Sequence, residues 1–212
     1  MRASAGVPCP DPGPLPWPSL PPARAIADAL EPVLRSRRRR TVSEPSRRAG
    51  VLLLLYDRDG RPHVVLTKRT DHLLHHRGQV CLPGGRWEED DPDLRDTALR
   101  ETEEELGVPR SAVRVVGQLD DTPTIASDYV ISPFVGTLEE ALAPVPNAYE
   151  IARVLEVPLD DLMAADARLE PDPAPLALRY PLMGEDVWGA TARILRVFAR
   201  LVRCALSPPP AR

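Results

Sequence analysis

The chain has 212 residues, 43% of them hydrophobic, so it can bury one good-sized core, and a second full domain would have to be small. Its 31 acidic and 27 basic side chains are interspersed and give a formal charge of −4, which implies no general attraction to nucleic acid or to an anionic membrane. Three cysteines without CxxC spacing argue against a disulfide framework and a structural zinc site, and they favour a reducing cytoplasm. We find no stretch apolar enough to predict a signal peptide or a membrane span.

The two ends of the chain are predicted to be tails around a single domain at residues 23–206. Residues 1–22 are so rich in proline that we expect an extended, flexible segment, and residues 207–212 form a short second tail. Residues 23–34 have the pattern of a short helix, which Pro32 can kink. The arginine-rich run at residues 35–40 is interpreted as a solvated charge run, with contact to phosphate or RNA as the alternative.

Much of the remaining pattern predicts strands. Residues 50–56 and 63–67, joined by a turn at 57–60, predict a hairpin, and the apolar run 80–82 ends at a loop that begins with Pro83. Further along, the pattern predicts strands at 113–119, 129–135 and 151–157, a short helix at 158–164, a proline-rich surface connection at 165–177 and a long terminal helix at 185–206.

A helix with clear start and stop signals is predicted at residues 92–106. Asp91 is a good N-cap, Pro92 suits the first helical position, and Gly107 suits the position just past the end. This helix is the one that bears the candidate chemistry.

Three carboxylates lie along one edge of this helix. Glu101, Glu104 and Glu105 are three and four positions apart, so they repel one another, and a cation would reverse that effect. Carboxylate oxygens without histidine or thiolate are typical ligands of Mg²⁺, for which Mn²⁺ can substitute. The preceding Gly84 and Gly85 leave room for metal or phosphate to approach the backbone. Considered alone, however, a glutamate-rich helix end is more often a solvated surface.

The sequence around these carboxylates points to a family. Residues 83–108, PGGRWEEDDPDLRDTALRETEEELGV, resemble the Nudix box, GX5EX7REUXEEXGU with U aliphatic. The second half fits closely apart from Thr102 at a U position. In the first half, Asp91 replaces the expected Glu and is therefore left out of the metal set. The spacer before Arg100 is one residue longer, which is a feature of the branch that resembles coenzyme A pyrophosphatases.

A second signature of that branch precedes the box. Residues 65–85, VLTKRTDHLLHHRGQVCLPGG, resemble LLTKRSXXLRXHXGXVXFPGG in one ungapped register. Val65, Thr70, Leu74 and Leu82 depart from that pattern. Further similarity at residues 147–162 and 187–195 extends the resemblance over roughly residues 45–202.

The resemblance implies an α/β fold, a Nudix α/β/α sandwich with a mixed central sheet, and a reaction in which water attacks a pyrophosphate. It implies that Glu101, Glu104 and Glu105 bind Mg²⁺ or Mn²⁺ with help from the Gly84 carbonyl, and that Glu101 alternatively positions the water. Arg100 would hold the glutamates in place, and Glu150 would be an additional catalytic carboxylate delivered by a loop. The identity of the general base stays open.

The predicted substrate is coenzyme A or an acyl derivative, cleaved to 3′,5′-ADP and (acyl) 4′-phosphopantetheine. Its phosphates would be bound by the cationic side chains of the upstream signature and by the glycine loop; the residues are Lys68, Arg69, His76, Arg77 and Gly85. The alternatives are a Nudix hydrolase for ADP-ribose or NADH, and a non-catalytic module that binds a nucleotide or RNA. A homodimer is expected from the resemblance, with no membrane or nucleic-acid partner.

Overall fold

The fold is built around a long apolar strand that follows the N-terminal helix. A computed structural model describes residues 19–43, 47–72, 77–125, 128–138, 144–170, 174 and 177–207. Its elements are α1 (Ala23–Ser36), β1 (Arg47–Arg58), β2 (Arg61–Arg69), β3 (Val80–Cys81), β4 (Gly84–Arg86), α2 (Leu94–Leu106), β5 (Val113–Gln118), β6 (Thr122–Pro123), β7 (Tyr129–Leu138), β8 (Ile151–Pro158), α3 (Leu159–Ala167), β9 (Arg179–Leu182), β10 (Glu185–Trp188) and α4 (Gly189–Leu206).

Eight of these strands form one mixed sheet with β1 near its centre. Strand β1 pairs parallel with β7 and antiparallel with β2 and β4, while β2 also pairs antiparallel with β3 and β8. The remaining strands, β9 and β10, form a separate antiparallel hairpin. The predicted mixed sheet is therefore confirmed.

Alternate side chains of β1 enter two different cores because successive residues of a strand point to opposite faces. Leu53 and Leu55 are fully buried in the cluster that includes α1, α3 and α4. Leu52 and Leu54 are fully buried in the second cluster, with Ala98 of α2. Helices thus cover both faces of the sheet, which confirms the α/β/α sandwich.

Several predicted boundaries were wrong, and three of them bear on the site or on the terminal helix. The helix predicted at 92–106 begins at Leu94, and part of the loop predicted after Pro83 is the strand β4, which pairs with β1. The terminal helix predicted at 185–206 begins only at Gly189, because residues 185–188 pair with β9. The division into tails and one domain stays a prediction, and residues 1–18 and 208–212 of those tails lie outside the described residues.

The arginine-rich run forms ion pairs with two neighbouring aspartates on the connection between β5 and β6. Arg37 and Arg40 bind the Asp120 carboxylate at 2.7 and 3.1 Å, and Arg39 binds Asp121 at 2.8 Å. These ion pairs neutralise the cations locally. The folded structure therefore gives no support to an RNA-binding role for the run.

A buried ionic cluster joins α3 to α4. Asp166, which is 1% exposed, accepts a hydrogen bond from the Tyr180 hydroxyl at 2.6 Å and forms ion pairs with Arg196, at 3.0 Å, and with Arg203. Both arginines also donate to backbone carbonyls of residues near Asp166. These bonds compensate for the burial of three charged groups.

The two cysteines among the described residues differ in state. Cys81 is free, but Cys204 near the end of α4 is disulfide-bonded. A disulfide-bonded Cys204 does not support the reducing compartment expected from the cysteine count. Among the described residues, the helices are too short or too polar to span a membrane.

Candidate active site

The start of α2 is defined by two aspartates with different roles. Asp93, rather than Asp91, is the N-cap, and its carboxylate accepts hydrogen bonds from the backbone of Arg95 and Asp96 at 2.8 and 2.9 Å. The helix ends where Gly107 adopts a left-handed conformation, with φ at 66°. The predicted cap at Asp91 was wrong because the Asp91 carboxylate binds elsewhere.

Asp91 is buried and holds Arg100. The guanidinium donates from Nε to Oδ1 at 2.9 Å and from Nη2 to Oδ2 at 3.0 Å, and Thr97 donates to the same carboxylate at 2.9 Å. The hydrogen bonds from Arg100 are the main reason that the pKa of Asp91 is lowered to about 2, although burial acts in the opposite direction. The ion pair in turn raises the pKa of Arg100.

The guanidinium of Arg100, held by Asp91, also contacts two of the candidate metal ligands. Its Nη1 lies 3.1 Å from Glu101 Oε1 and 3.3 Å from Glu104 Oε2, and its Nη2 donates to the Arg86 carbonyl at 3.1 Å. Arg100 therefore contacts both carboxylates and is itself held by Asp91, while its role in positioning the glutamates stays a prediction.

Glu105 is the most deeply buried of the three helix carboxylates, at 3% exposure. The Gly84 N–H donates to its Oε2 at 3.2 Å, and Arg69 Nη1 lies 3.5 Å from its Oε1. The pKa of Glu105 is raised to about 8, mainly by burial and in part by the charges of Glu101 and Glu150, against the opposing effects of the Gly84 hydrogen bond and of Arg69.

Glu101 is half-buried against Gly85. A Cβ atom at Gly85 would lie 2.3 Å from the Glu101 Cδ, so only glycine permits this close approach. Burial raises the pKa of Glu101, Arg100 lowers it, and Glu104 and Glu150 raise it. In this structure, Gly85 makes room for a carboxylate.

Glu150 lies in the turn just before β8. Its backbone carbonyl accepts from the Thr70 N–H at 2.9 Å, which ties the turn to the end of β2. Its charge contributes to the raised pKa of both Glu101 and Glu105, so Glu150 lies within electrostatic range of these two carboxylates. Glu104 differs from them in being exposed, although its carboxylate contacts Arg100 as that of Glu101 does.

This donor set fits a divalent cation by its chemistry. Glu101, Glu105 and Glu150 are close enough to oppose one another's ionisation, and a cation among them would remove that repulsion. Within the part of the chain that the structure describes, no three His, Cys, Asp or Glu side chains already converge as a formed metal site. A cation bound here would share these carboxylates with Arg100 and with the Gly84 N–H, which engage some of their oxygens.

The cations expected to bind substrate are divided between different parts of the molecule. Arg69 contacts Glu105 of α2, whereas Lys68 Nζ donates to both oxygens of Glu185 in β10, at 2.9 and 3.0 Å. The structure thus brings Arg69, and not Lys68, to the carboxylates. Arg77 is exposed, and His76 lies outside the described residues.

Two features of the site were missed by the sequence analysis. Cys81 is close to Arg69 and Glu105, and burial raises the pKa of its thiol to about 11. Tyr149, next to Glu150, forms a ring pair with His72. A bulky aromatic residue directly before a candidate catalytic carboxylate was the available signal for Tyr149.

The chain is similar to known proteins of the Nudix family. A model of the NUDIX domain matches residues 46–180. The Yersinia pestis protein called "Uncharacterized Nudix hydrolase NudL" is 35% identical over 165 residues, which cover 76% of this chain and 82% of that protein. Two solved structures are also similar. A MutT/nudix family protein from Enterococcus faecalis has 16% sequence identity and a TM-score of 0.49, and the match covers 87% of this chain and 76% of that protein. The Nudix hydrolase RenU from M. smegmatis has 25% identity and a TM-score of 0.45, and the match covers 58% of this chain and 76% of that protein.

Proposed function

Because the chain belongs to the Nudix family of hydrolases, which act on pyrophosphate bonds of nucleoside diphosphate derivatives, we propose that its substrate is coenzyme A or acyl-coenzyme A. The products are 3′,5′-ADP and (acyl) 4′-phosphopantetheine. The main support is the contact between Arg69 and Glu105, because it joins the signature of the coenzyme A branch to the Nudix-box helix.

The proposed metal ligands are Glu101, Glu104 and Glu105, with the Gly84 carbonyl. Nudix hydrolases generally use divalent ions, and here we propose Mg²⁺, with Mn²⁺ as a substitute. When bound, the ion supplies positive charge beside the phosphoryl oxygens. For Glu104 to take part, its carboxylate must leave Arg100, to which it is bound from an exposed position.

The remaining site residues act on the substrate and on the attacking water. Arg69 and Arg77, with His76 and the backbone of Gly85, bind the phosphates, and Arg100 positions the glutamates. Water adds to one phosphorus as the bond from that phosphorus to the bridging oxygen breaks. Glu150 or Glu101 accepts the proton of the water, and the bridging oxygen departs with the second phosphate.

A substrate panel tests this proposal. The purified chain is incubated with Mg²⁺ and coenzyme A, acetyl-coenzyme A, NADH or ADP-ribose in water enriched in ¹⁸O, and the products are identified by mass spectrometry. We expect 3′,5′-ADP and 4′-phosphopantetheine, with one ¹⁸O atom in one of the two. Absence of turnover of coenzyme A and its acyl form would refute the proposed substrate.

A matched pair of variants tests the carboxylate assignment. Glu105→Gln should reduce kcat by about 100-fold or more, because it removes a charged ligand from the site. Glu103→Gln is the control, since Glu103 lies on the same helix and binds Arg110 at 2.9 Å instead. Equal loss of activity in both variants would contradict the assignment.

One observation favours a second substrate class. Glu185 already neutralises Lys68, one of the cations expected to bind the additional 3′-phosphate of coenzyme A. A nucleotide without that phosphate, such as ADP-ribose or NADH, needs no such contact. A higher kcat/KM for either in the panel would select this alternative, and nucleotide binding without any turnover would indicate a non-catalytic module. The expected homodimer is checked by light scattering.

A further inference from the structure

We propose that Tyr149 and His72, here called the ring pair, form the platform on which the nucleobase of the substrate stacks. The inference deepens the proposed function, since it takes the substrate to be a nucleotide and assigns recognition of its base.

The two rings of the ring pair contact each other. Their centroids are 5.0 Å apart and their planes meet at 56°, within the range of favourable aromatic contacts. Tyr149 nevertheless leaves 69% of its surface exposed. A planar base placed against it would bury apolar area that the protein itself leaves in water.

The ring pair is fixed relative to the carboxylates by the end of β2. Thr70 donates from its hydroxyl to the Tyr149 carbonyl at 3.0 Å and from its N–H to the Glu150 carbonyl at 2.9 Å. Its neighbour Arg69 contacts Glu105. Two consecutive residues thus hold the ring pair and a phosphate-binding candidate in a fixed relation.

The turn that bears Tyr149 is also attached to α2. The Asn147 N–H donates to the Glu105 carbonyl at 2.9 Å, and the Asn147 side-chain oxygen accepts from the Tyr149 N–H at 3.1 Å. The backbone of Tyr149 is therefore linked through Asn147 to the backbone of Glu105, whose side chain is the buried carboxylate. In the proposed complex, the phosphates of the nucleotide lie at Glu105 and its base lies at the ring pair.

Two other exposed aromatic side chains, Trp87 and Trp188, contact groups of the protein other than the ring pair. The Trp87 indole N–H donates to the Asp91 carbonyl at 3.1 Å, and the guanidinium of Arg179 lies 6.0 Å from the ring centre of Trp188. The hairpin that carries Trp188 lies outside the main sheet, which makes it a matched control for Tyr149.

The experiment compares Tyr149→Ala, Tyr149→Phe and Trp188→Ala on the best substrate of the panel and on its abasic analogue, in which hydrogen replaces the base. Tyr149→Ala should raise KM for the complete substrate about 5- to 100-fold, the range for loss of one base stack, and change kcat little. Tyr149→Phe and Trp188→Ala should keep the wild-type KM. On the abasic analogue, Tyr149→Ala should match the wild type. An unchanged KM for Tyr149→Ala, or an equal rise on the abasic analogue, would overturn the proposal.

A binding measurement separates this proposal from the proposed function. If the wild type hydrolyses nothing in the panel, the proposed function fails, and the ring pair is then tested by titrating ADP calorimetrically into wild type and Tyr149→Ala. Weaker binding of ADP by the variant, by a similar factor, supports the ring pair. Equal affinities, or no binding of ADP by the wild type, refute it.

Discussion

Arg100 binds Asp91 through two parallel hydrogen bonds, although nine positions separate them and one lies before the helix that carries the other. The same guanidinium contacts Glu101 and Glu104. The orientation of the candidate metal ligands therefore depends on an aspartate that lies outside the ligand set.

Arg100→Lys should lower activity while keeping the charge. Lysine cannot form two parallel hydrogen bonds to Asp91 while also reaching the glutamates, so we expect kcat to fall about 10- to 100-fold with a small loss of stability. The exposed Arg95 of the same helix provides the control, as Arg95→Lys. Steady-state kinetics measure both, and equal kcat for the two variants would contradict a positioning role.

Asp91 should make stability depend on acid pH. Because its pKa in the folded chain is about 2, below the usual value, the ion pair stabilises the protein above pH 4, and this contribution is lost as pH falls towards 2. The difference in unfolding free energy between wild type and Asp91→Asn should therefore shrink between pH 6 and pH 3 in urea titrations. A constant difference would show that the carboxylate charge is not responsible.

Gly85→Ala should impair catalysis more than folding. The added methyl group would overlap Glu101 and displace its carboxylate, so we expect at least a 10-fold loss of kcat, with Tm lowered by a few degrees. Gly60→Ala is the control: its φ of 74° also disfavours alanine, but no atom lies within 4 Å of the new methyl group. Wild-type kcat in Gly85→Ala would show that Glu101 need not occupy its present position.

Asp166→Asn should destabilise the protein without changing the active site. It leaves Arg196 and Arg203 buried without a countercharge, which typically costs about 3–5 kcal/mol. The exposed ion pair of Arg179 with Asp186 should contribute only about 0–1 kcal/mol, so Asp186→Asn is the comparison. Chemical denaturation gives both values. The turnover of the folded fraction of Asp166→Asn should equal that of the wild type.

Divalent ions should stabilise the folded chain. Mg²⁺ at 100 times its Kd would add about 2.7 kcal/mol to the unfolding free energy, and EDTA should abolish turnover. The rise in Tm should be lost in Glu105→Gln and kept in Glu103→Gln. Identical shifts in the two variants would place the ion elsewhere.

Sequence patterns predicted an element well where residues close together in the sequence determine it. The end of α2 at Gly107 follows from its left-handed conformation, which glycine adopts without strain. Its start was predicted wrongly, with Asp91 as the N-cap, because the hydrogen bonds that engage the Asp91 carboxylate come from the distant Arg100 and the local pattern does not reveal them. Similarly, β10 was taken for part of α4, because its pairing with β9 is a tertiary contact that helical spacing does not reveal.

The candidate site was predictable in its residue types and less so in its arrangement. The resemblance pointed to four carboxylates, those of Glu101, Glu104, Glu105 and Glu150. Glu101 and Glu105 lie within electrostatic range of Glu150, and their common role in one site stays a prediction. The resemblance also suggested Lys68 as a phosphate ligand, but strand β10, which that pattern did not predict, supplies Glu185 to bind it. The roles of the predicted residues remain proposals for the experiments above.

The strand pairings also determine when in folding the active site can form. Helix α2 can form its turns within microseconds, but Glu150 joins Glu101 only after β8 has paired with β2, and β1 pairs in parallel with the distant β7. Closing such long loops is slow because chain entropy is lost before the contacts form. Recovery of turnover during refolding should therefore follow completion of the sheet, well after the helical signal has returned.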